Sequence, residues 1–177
     1  MVDVQMDFDA GSRRDPADKA GLAGVTAGMT SKGITAARTP GSGPSDVALD
    51  ENQLGEAWAD LGASFSASAG NDSMSFSLRS LNYPDLLAKA VQLGARLLAD
   101  PAFPDNIWQR ERQRLSASIR EANTKPATIA GKAYAAAVYG AHPYGYETTE
   151  ATLARITVQD MQKALRQQVE PCRAKIS

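Results

Sequence analysis

Val2, Val4, Met6, Phe8 and Ala10 alternate with Asp3, Gln5, Asp7 and Asp9. A period of two puts the apolar side chains on one face of a strand and the polar ones on the other. Such a strand is not stable alone, so the remaining chain has to supply partner strands for its backbone and a layer over its apolar face. Partners are at hand in Ala63-Ser-Phe-Ser-Ala-Ser-Ala69 and in Met74, Phe76 and Leu78, which alternate with Ser75, Ser77 and Arg79. The turn Gly70-Asn-Asp72 joins the two segments, and the pattern predicts a β-hairpin.

The covering layer is helical. From Ala20 to about Ser31, Leu22, Val25 and Met29 recur at helical spacing in a small, weakly amphipathic segment. Gly24 and Gly28 each cost a helix about 1 kcal/mol relative to Ala, so neighbours must hold this one in place. Their spacing alone reads as close helix packing. Thr39-Pro-Gly-Ser-Gly-Pro44 is a loop by composition. Asp50-Glu51 open a helix with the stripe Leu54, Ala57, Trp58 and Leu61, and Gly62 closes it. Pro84-Asp85 begin another, with Leu86, Leu87, Ala90, Val91, Gly94, Leu97 and Leu98 at three- and four-residue steps up to Pro101. Phe103-Pro104-Asp105 lead a long charged helix to about Ala122 with Ile107, Leu115 and Ile119 inward. After Pro126 a helix runs to about Tyr139, His142-Pro-Tyr-Gly145 makes a loop, and Val158 to Val169 is the last helix. This order predicts an α+β fold, a mostly antiparallel β-sheet with helices packed on one side. A length of 177 residues with 43% hydrophobic residues suits one domain with its own core.

Charge narrows the partners. The formal net charge is −1 and no long basic run exists, which excludes an electrostatic case for nucleic acid or an anionic membrane. Arg110, Arg112, Arg114 and Arg120 are interleaved with Glu111 and Glu121 and read as a solvated helix face. There is no apolar run of about 18 residues to span a bilayer. Asp3, Asp7 and Asp9 lie on the wet side of the first strand without a histidine and read as solvated carboxylates rather than a metal site. Cys172 is the only cysteine, so no internal disulfide can form. Met1-Val-Asp-Val reads as strand rather than targeting segment, and an extended segment opens at Cys172. Both ends look cut, and the expectation is a fragment of a longer protein.

The segment Gly21-Leu-Ala-Gly-Val-Thr-Ala-Gly-Met-Thr-Ser-Lys-Gly33 resembles the zinc helix of the insulinase/pitrilysin family of peptidases, M16. There the inverted signature H-x-x-E-H sits in a frame close to G-L-A-H-x-x-E-H-M-x-x-K-G. Gly21, Leu22, Ala23, Met29, Lys32 and Gly33 keep the frame. The two histidine positions are Gly24 and Gly28, and the general-base glutamate is Ala27. Further matches are Phe8-Asp-Ala-Gly-Ser-Arg13, Leu61-Gly-Ala-Ser-Phe-Ser-Ala67, Glu111-Arg112 with Ser118-Ile119, and His142-Pro-Tyr-Gly145 followed by Leu153, Ile156 and Thr157. On this resemblance the third metal ligand, a glutamate, is replaced by Ser118, and Glu121 is the nearest carboxylate. His142 is the only histidine and reads as an anchor of its loop.

The resemblance implies that residues 1–177 are a single N-terminal α+β domain of the family with a degenerate zinc motif. It implies no catalytic residue and no metal ligand in this chain, although active members carry zinc. The segment Phe65, Ser66, Ala67 and Ser68 is the expected edge at which an extended peptide pairs. The expected partners are a zinc-bearing subunit of the same family, an extended peptide and, for the excised fragment, a second copy of itself. A periplasmic location is the first expectation and a cytoplasmic one the second. Three functions follow: a non-catalytic subunit, an active metalloendopeptidase whose ligands come from outside the fragment, and a structural scaffold.

Overall fold

The computed structural model describes residues 1–36 and 47–177, so the loop read at Thr39 to Pro44 lies outside it. Strand β1 (Val2–Asp9) leads through two 3-10 turns to helix α1 (Leu22–Thr30) and the short strand β2 (Gly33–Ile34). Strand β3 (Leu49–Asp50), helix α2 (Glu51–Asp60) and the hairpin β4 (Ser64–Ala69) and β5 (Ser73–Ser80) follow. Then come helices α3 (Pro84–Ala99), α4 (Asp105–Ala122), α5 (Pro126–Tyr139), α6 (Glu150–Arg155) and α7 (Val158–Gln168), and strand β6 (Lys175–Ile176).

The main sheet has the order β4-β5-β1-β6, and all its pairings are antiparallel. The register Val4↔Leu78, Met6↔Phe76 and Phe8↔Met74 puts the apolar positions of β1 and β5 on one face, and Phe65↔Leu78 and Ala67↔Phe76 extend that face across β4. Phe76 and Met74 are fully buried there beneath the helices. On the opposite face the wet residues pair with one another: Arg79 donates to Asp3 at 2.6 Å and Ser75 to Asp7 at 2.5 Å. The carboxylates Asp3, Asp7 and Asp9 are thus partners of Arg79, Ser75, Arg13 and Arg14.

Local signals set most helix starts. Asp50 accepts from the backbone of Asn52 and Gln53 while the Gln53 side chain accepts from the Asp50 N–H, a complete capping box for α2. Helices α3 and α5 carry Pro84 and Pro126 in their first turn, where the missing N–H has no helical partner to lose. Thr157 and Asp160 form the same reciprocal cap on α7.

Helix α6 and the two-residue strands β2 and β3 have no counterpart in the sequence reading. Six residues are too few to show a helical period, and the cap that starts α6 uses Thr149 with Thr152 in place of a glutamate. Trp108 is the second omission. It lies among charged residues in α4, yet it is buried and its indole N–H donates to the Ile156 carbonyl at 3.2 Å. Helix α5 buries none of its residues and leaves Ile129, Tyr134 and Val138 exposed.

Candidate functional site

Helix α1 is held by its surroundings, not by propensity. Asp15 reaches its first turn and accepts from the Gly21 N–H at 2.9 Å and the Ala23 N–H at 3.0 Å, satisfying donors that no helical carbonyl can reach. Gly21 takes φ 100°, a left-handed conformation, and a Cβ there would fall 2.7 Å from Thr148 Cγ2. Leu22, Ala23, Val25, Ala27 and Met29 are buried in the core beneath the sheet. At the far end Gly33 sits at φ 138°, where a Cβ would come within 2.9 Å of the Leu49 carbonyl oxygen. Lys32 donates to Glu51 at 2.6 Å. Each frame residue that survives in the motif therefore has a packing, backbone or ion-pair reason to be there.

The positions matched to the family's metal ligands behave differently. Gly24 and Gly28 are exposed, and a Cβ added at either meets nothing within 4 Å. Close helix packing, which their spacing alone also allowed, is not what holds them. They face a cleft of about 420 Å³ between α1 and α4, and Ser118 lines the opposite wall. The structure thus brings Gly24, Gly28 and Ser118 together, as the weaker half of the sequence match required. Ala27 is outside this lining, on the buried flank of α1.

A metal ion in this cleft would need about three nitrogen, sulfur or oxygen ligands at roughly 2 Å. Glycine offers no side-chain donor, and a neutral serine hydroxyl is a poor ligand for zinc. The carboxylate that lines the cleft is Glu111, two helical turns before Ser118, and not Glu121 as the sequence suggested. Glu111 already accepts from Arg114 at 2.8 Å, and Glu121 is exposed and paired with Lys125 at 3.0 Å. Among the described residues no group of three His, Cys, Asp or Glu side chains is placed to hold a metal. The donor set does not fit zinc.

Charges at the cleft mouth run in an alternating chain. Lys32 pairs with Glu51, Glu51 with Arg110 at 3.0 Å, Arg110 approaches Glu111 at 3.8 Å, and Glu111 pairs with Arg114. The hydrogen bond from Lys32, with Arg110 adding to it, holds Glu51 below the usual carboxylate range. Arg112 donates to Gln109 and Arg120 to Glu150, so the basic residues of α4 are engaged along the helix.

Strand β4 packs against α1 and forms one edge of the main sheet. It pairs with β5 on one side alone among the described strands, from Ser64↔Arg79 to Ala69↔Met74. Phe65 and Ala67 turn inward, with Phe65 stacked on Trp58 at 5.8 Å, and Ser66 and Ser68 face solvent. His142 lies away from the cleft, where its Nδ1 accepts from the Tyr144 N–H at 3.2 Å and its ring meets Tyr144 edge-on. It caps its loop, as the sequence indicated.

Residues 1–152 match the family model of insulinase, peptidase family M16. No match is found among curated proteins. A solved structure of a peptidase M16 inactive domain from Pseudomonas fluorescens superposes with a TM-score of 0.80 and 26% identity over 92% of this chain. Pitrilysin superposes at 0.74 with 22% identity, and the periplasmic protease PqqL from Escherichia coli at 0.76 with 16% identity, each over 98% of this chain. The chain spans 37% of the Pseudomonas protein and 18% of each of the other two. No helix among the described residues is long and apolar enough to cross a membrane.

Proposed function

The chain belongs to the insulinase family, peptidase family M16, and from that premise we propose that it is a non-catalytic member that binds extended peptide beside a zinc-bearing subunit. One observation carries the proposal: the cleft where three ligands must converge is walled by Gly24, Gly28 and Ser118. Without a metal there is no activated water at neutral pH, and Ala27 has no carboxylate to take a proton from one. What survives is the binding surface. The free edge of β4 offers backbone N–H and C=O groups to a peptide strand, the pairing called β-augmentation. The description of the 26% identical Pseudomonas domain as inactive supports the same reading. A periplasmic setting, like that of PqqL, belongs to this proposal and is tested by fractionation of the source cells.

The experiment is in two parts. The full-length protein, purified from its source, should bring down a subunit with an intact H-x-x-E-H. An unstructured peptide should bind the assembly, and Ala67→Pro, which removes a backbone donor from β4, should weaken that binding. Peptide binding unchanged by Ala67→Pro would contradict the role given to β4. Chelator-sensitive cleavage by the purified chain alone would contradict the whole proposal.

A further inference from the structure

We infer that α5 is a docking element that seats in the apolar groove between α3 and α7 of a second copy of this chain. The helix is apolar round its exposed surface, yet it buries none of its residues. Ile129 and Val138, nine residues apart, stand on opposite flanks, and Ala130, Ala133, Tyr134 and Ala137 fill the face between them. Ile129, Tyr134 and Val138 are 55%, 68% and 53% exposed. The one charged residue of the helix, Lys132, is turned back on Asn123 and Glu147. A helix with apolar residues round so much of its girth is ordinarily enclosed. A flat surface would cover the middle of this face, whereas Ile129 and Val138 together need a wall on either side.

The same chain carries a groove of that kind. Met6 and Phe8 of β1 form its floor, Leu98 of α3 lies on one side and Leu165 and Val169 of α7 on the other, around a volume of about 550 Å³. Asp100 and Arg166 at its rim carry opposite charges, so the groove offers no net charge to a helix face that has none. No residue of α5 lines the groove of its own chain. There α5 is tied at both ends, by the turn from α4 and by the 3-10 turn Pro143–Gly145, whose Tyr144 donates to Asp72 at 2.6 Å. The groove it enters is therefore that of another copy, and a net charge of −1 gives two copies little reason to repel. Helix and groove are different patches of the molecule, so the contact is head-to-tail and copies add one after another. Fourteen residues make a helix about 21 Å long, and enclosing half its girth buries roughly 900 Å² counted over both surfaces. That is less than the about 1,200 Å² at which standard interfaces begin, so the association is weak.

Sedimentation velocity on the chain, from about 5 to about 500 μM, reads the association. The weight-average sedimentation coefficient should rise with concentration past the value for a dimer, with a midpoint of roughly tens of micromolar. Tyr134→Glu on α5, and Ala95→Glu with Ala99→Lys on the groove side of α3, should each raise that midpoint at least about tenfold. Tyr134, Ala95 and Ala99 are exposed, and a Glu–Lys pair four residues apart suits a helix, so both variants should keep the fold, which far-UV circular dichroism checks. Each variant retains one intact half of the contact. An equal mixture of the two should therefore form pairs at the concentrations where the unmodified chain associates, and should stop at pairs. A chain that stays monomeric throughout, association untouched by either variant, or a mixture that forms no pairs overturns the inference.

Discussion

Helices α3 and α1 both carry glycine in their interiors, and the surroundings are opposite. In α3, Gly94 is buried with Phe65, Trp58 and Leu78 all between 3.8 and 3.9 Å from where its Cβ would be. In α1, Gly24 and Gly28 have nothing within 4 Å. At Gly94 the neighbours set the size of the residue. At the cleft no neighbour does, and what the position lacks is a ligand, not space. The same contrast runs through the motif itself: its frame residues are fixed by burial, backbone geometry or an ion pair, while Gly24 and Gly28 have no neighbour that sets their size.

Substitution should separate the two sites most sharply. Gly94→Leu inserts a side chain into a filled core and should cost about 1 to 3 kcal/mol. Gly24→Ala removes a helix penalty without a clash and should stabilise by up to about 1 kcal/mol. Urea unfolding of both variants measures the pair, and a destabilising Gly24→Ala would break the comparison.

The start of α1 provides the next test, through pH. Burial pushes the Asp15 carboxyl up to about 6, against the pull of the N–H groups of Ala23, Gly21 and Leu22. Its folded value lies above the ordinary 3.8, so the native state binds the proton more tightly. Stability contributed by this group is therefore full below about pH 4, falls as pH rises toward about 6 and is level above that. The slope from one group is at most about 1.4 kcal/mol per pH unit. Asp15→Asn keeps an acceptor for the helix N–H groups and should flatten the slope in that window. Thermal unfolding between pH 4 and 7 checks both chains.

At the cleft mouth the effects should be smallest. Lys32→Ala breaks the partly exposed pair with Glu51 and should cost about 0.2 to 1 kcal/mol, less at high salt. A larger loss would show that the charge chain holds α1 and α2 together more firmly than a surface network does.

Sequence pattern revealed the sheet and the long helices because each carries a local signal. The alternation of β1, the serine-spaced hairpin, the Asp50 cap and the prolines at the starts of α3 and α5 are all visible within a few residues. Helix α6 was not legible because its six residues hold less than two turns. Trp108 was hidden because its burial depends on Ile156, forty-eight residues away. The degenerate positions were legible through their frame, and Ser118 was found although its own segment is featureless. For Gly24 and Gly28 the spacing alone leaves close packing open beside the family frame, since periodicity cannot tell a glycine that admits a neighbour from one that faces a cleft. Nothing local marks Glu111 as the carboxylate at the cleft, because it stands two helical turns from Ser118 and among arginines.

On the proposed reading the fold keeps the geometry of a zinc site without its ligands. Metal analysis by mass spectrometry tests this directly, on the chain purified without chelator and on the triple variant Gly24→His, Gly28→His and Ser118→Glu. Ala27 is left as it stands, because a base is not a ligand and a carboxylate on that buried flank would have its own cost. Two imidazoles four residues apart on α1 and a carboxylate across the cleft on α4 supply three ligands and leave room for water. The predicted result is no stoichiometric zinc in the unmodified chain and about one per chain in the variant. About one zinc in the unmodified chain, or none in a correctly folded variant, would contradict it.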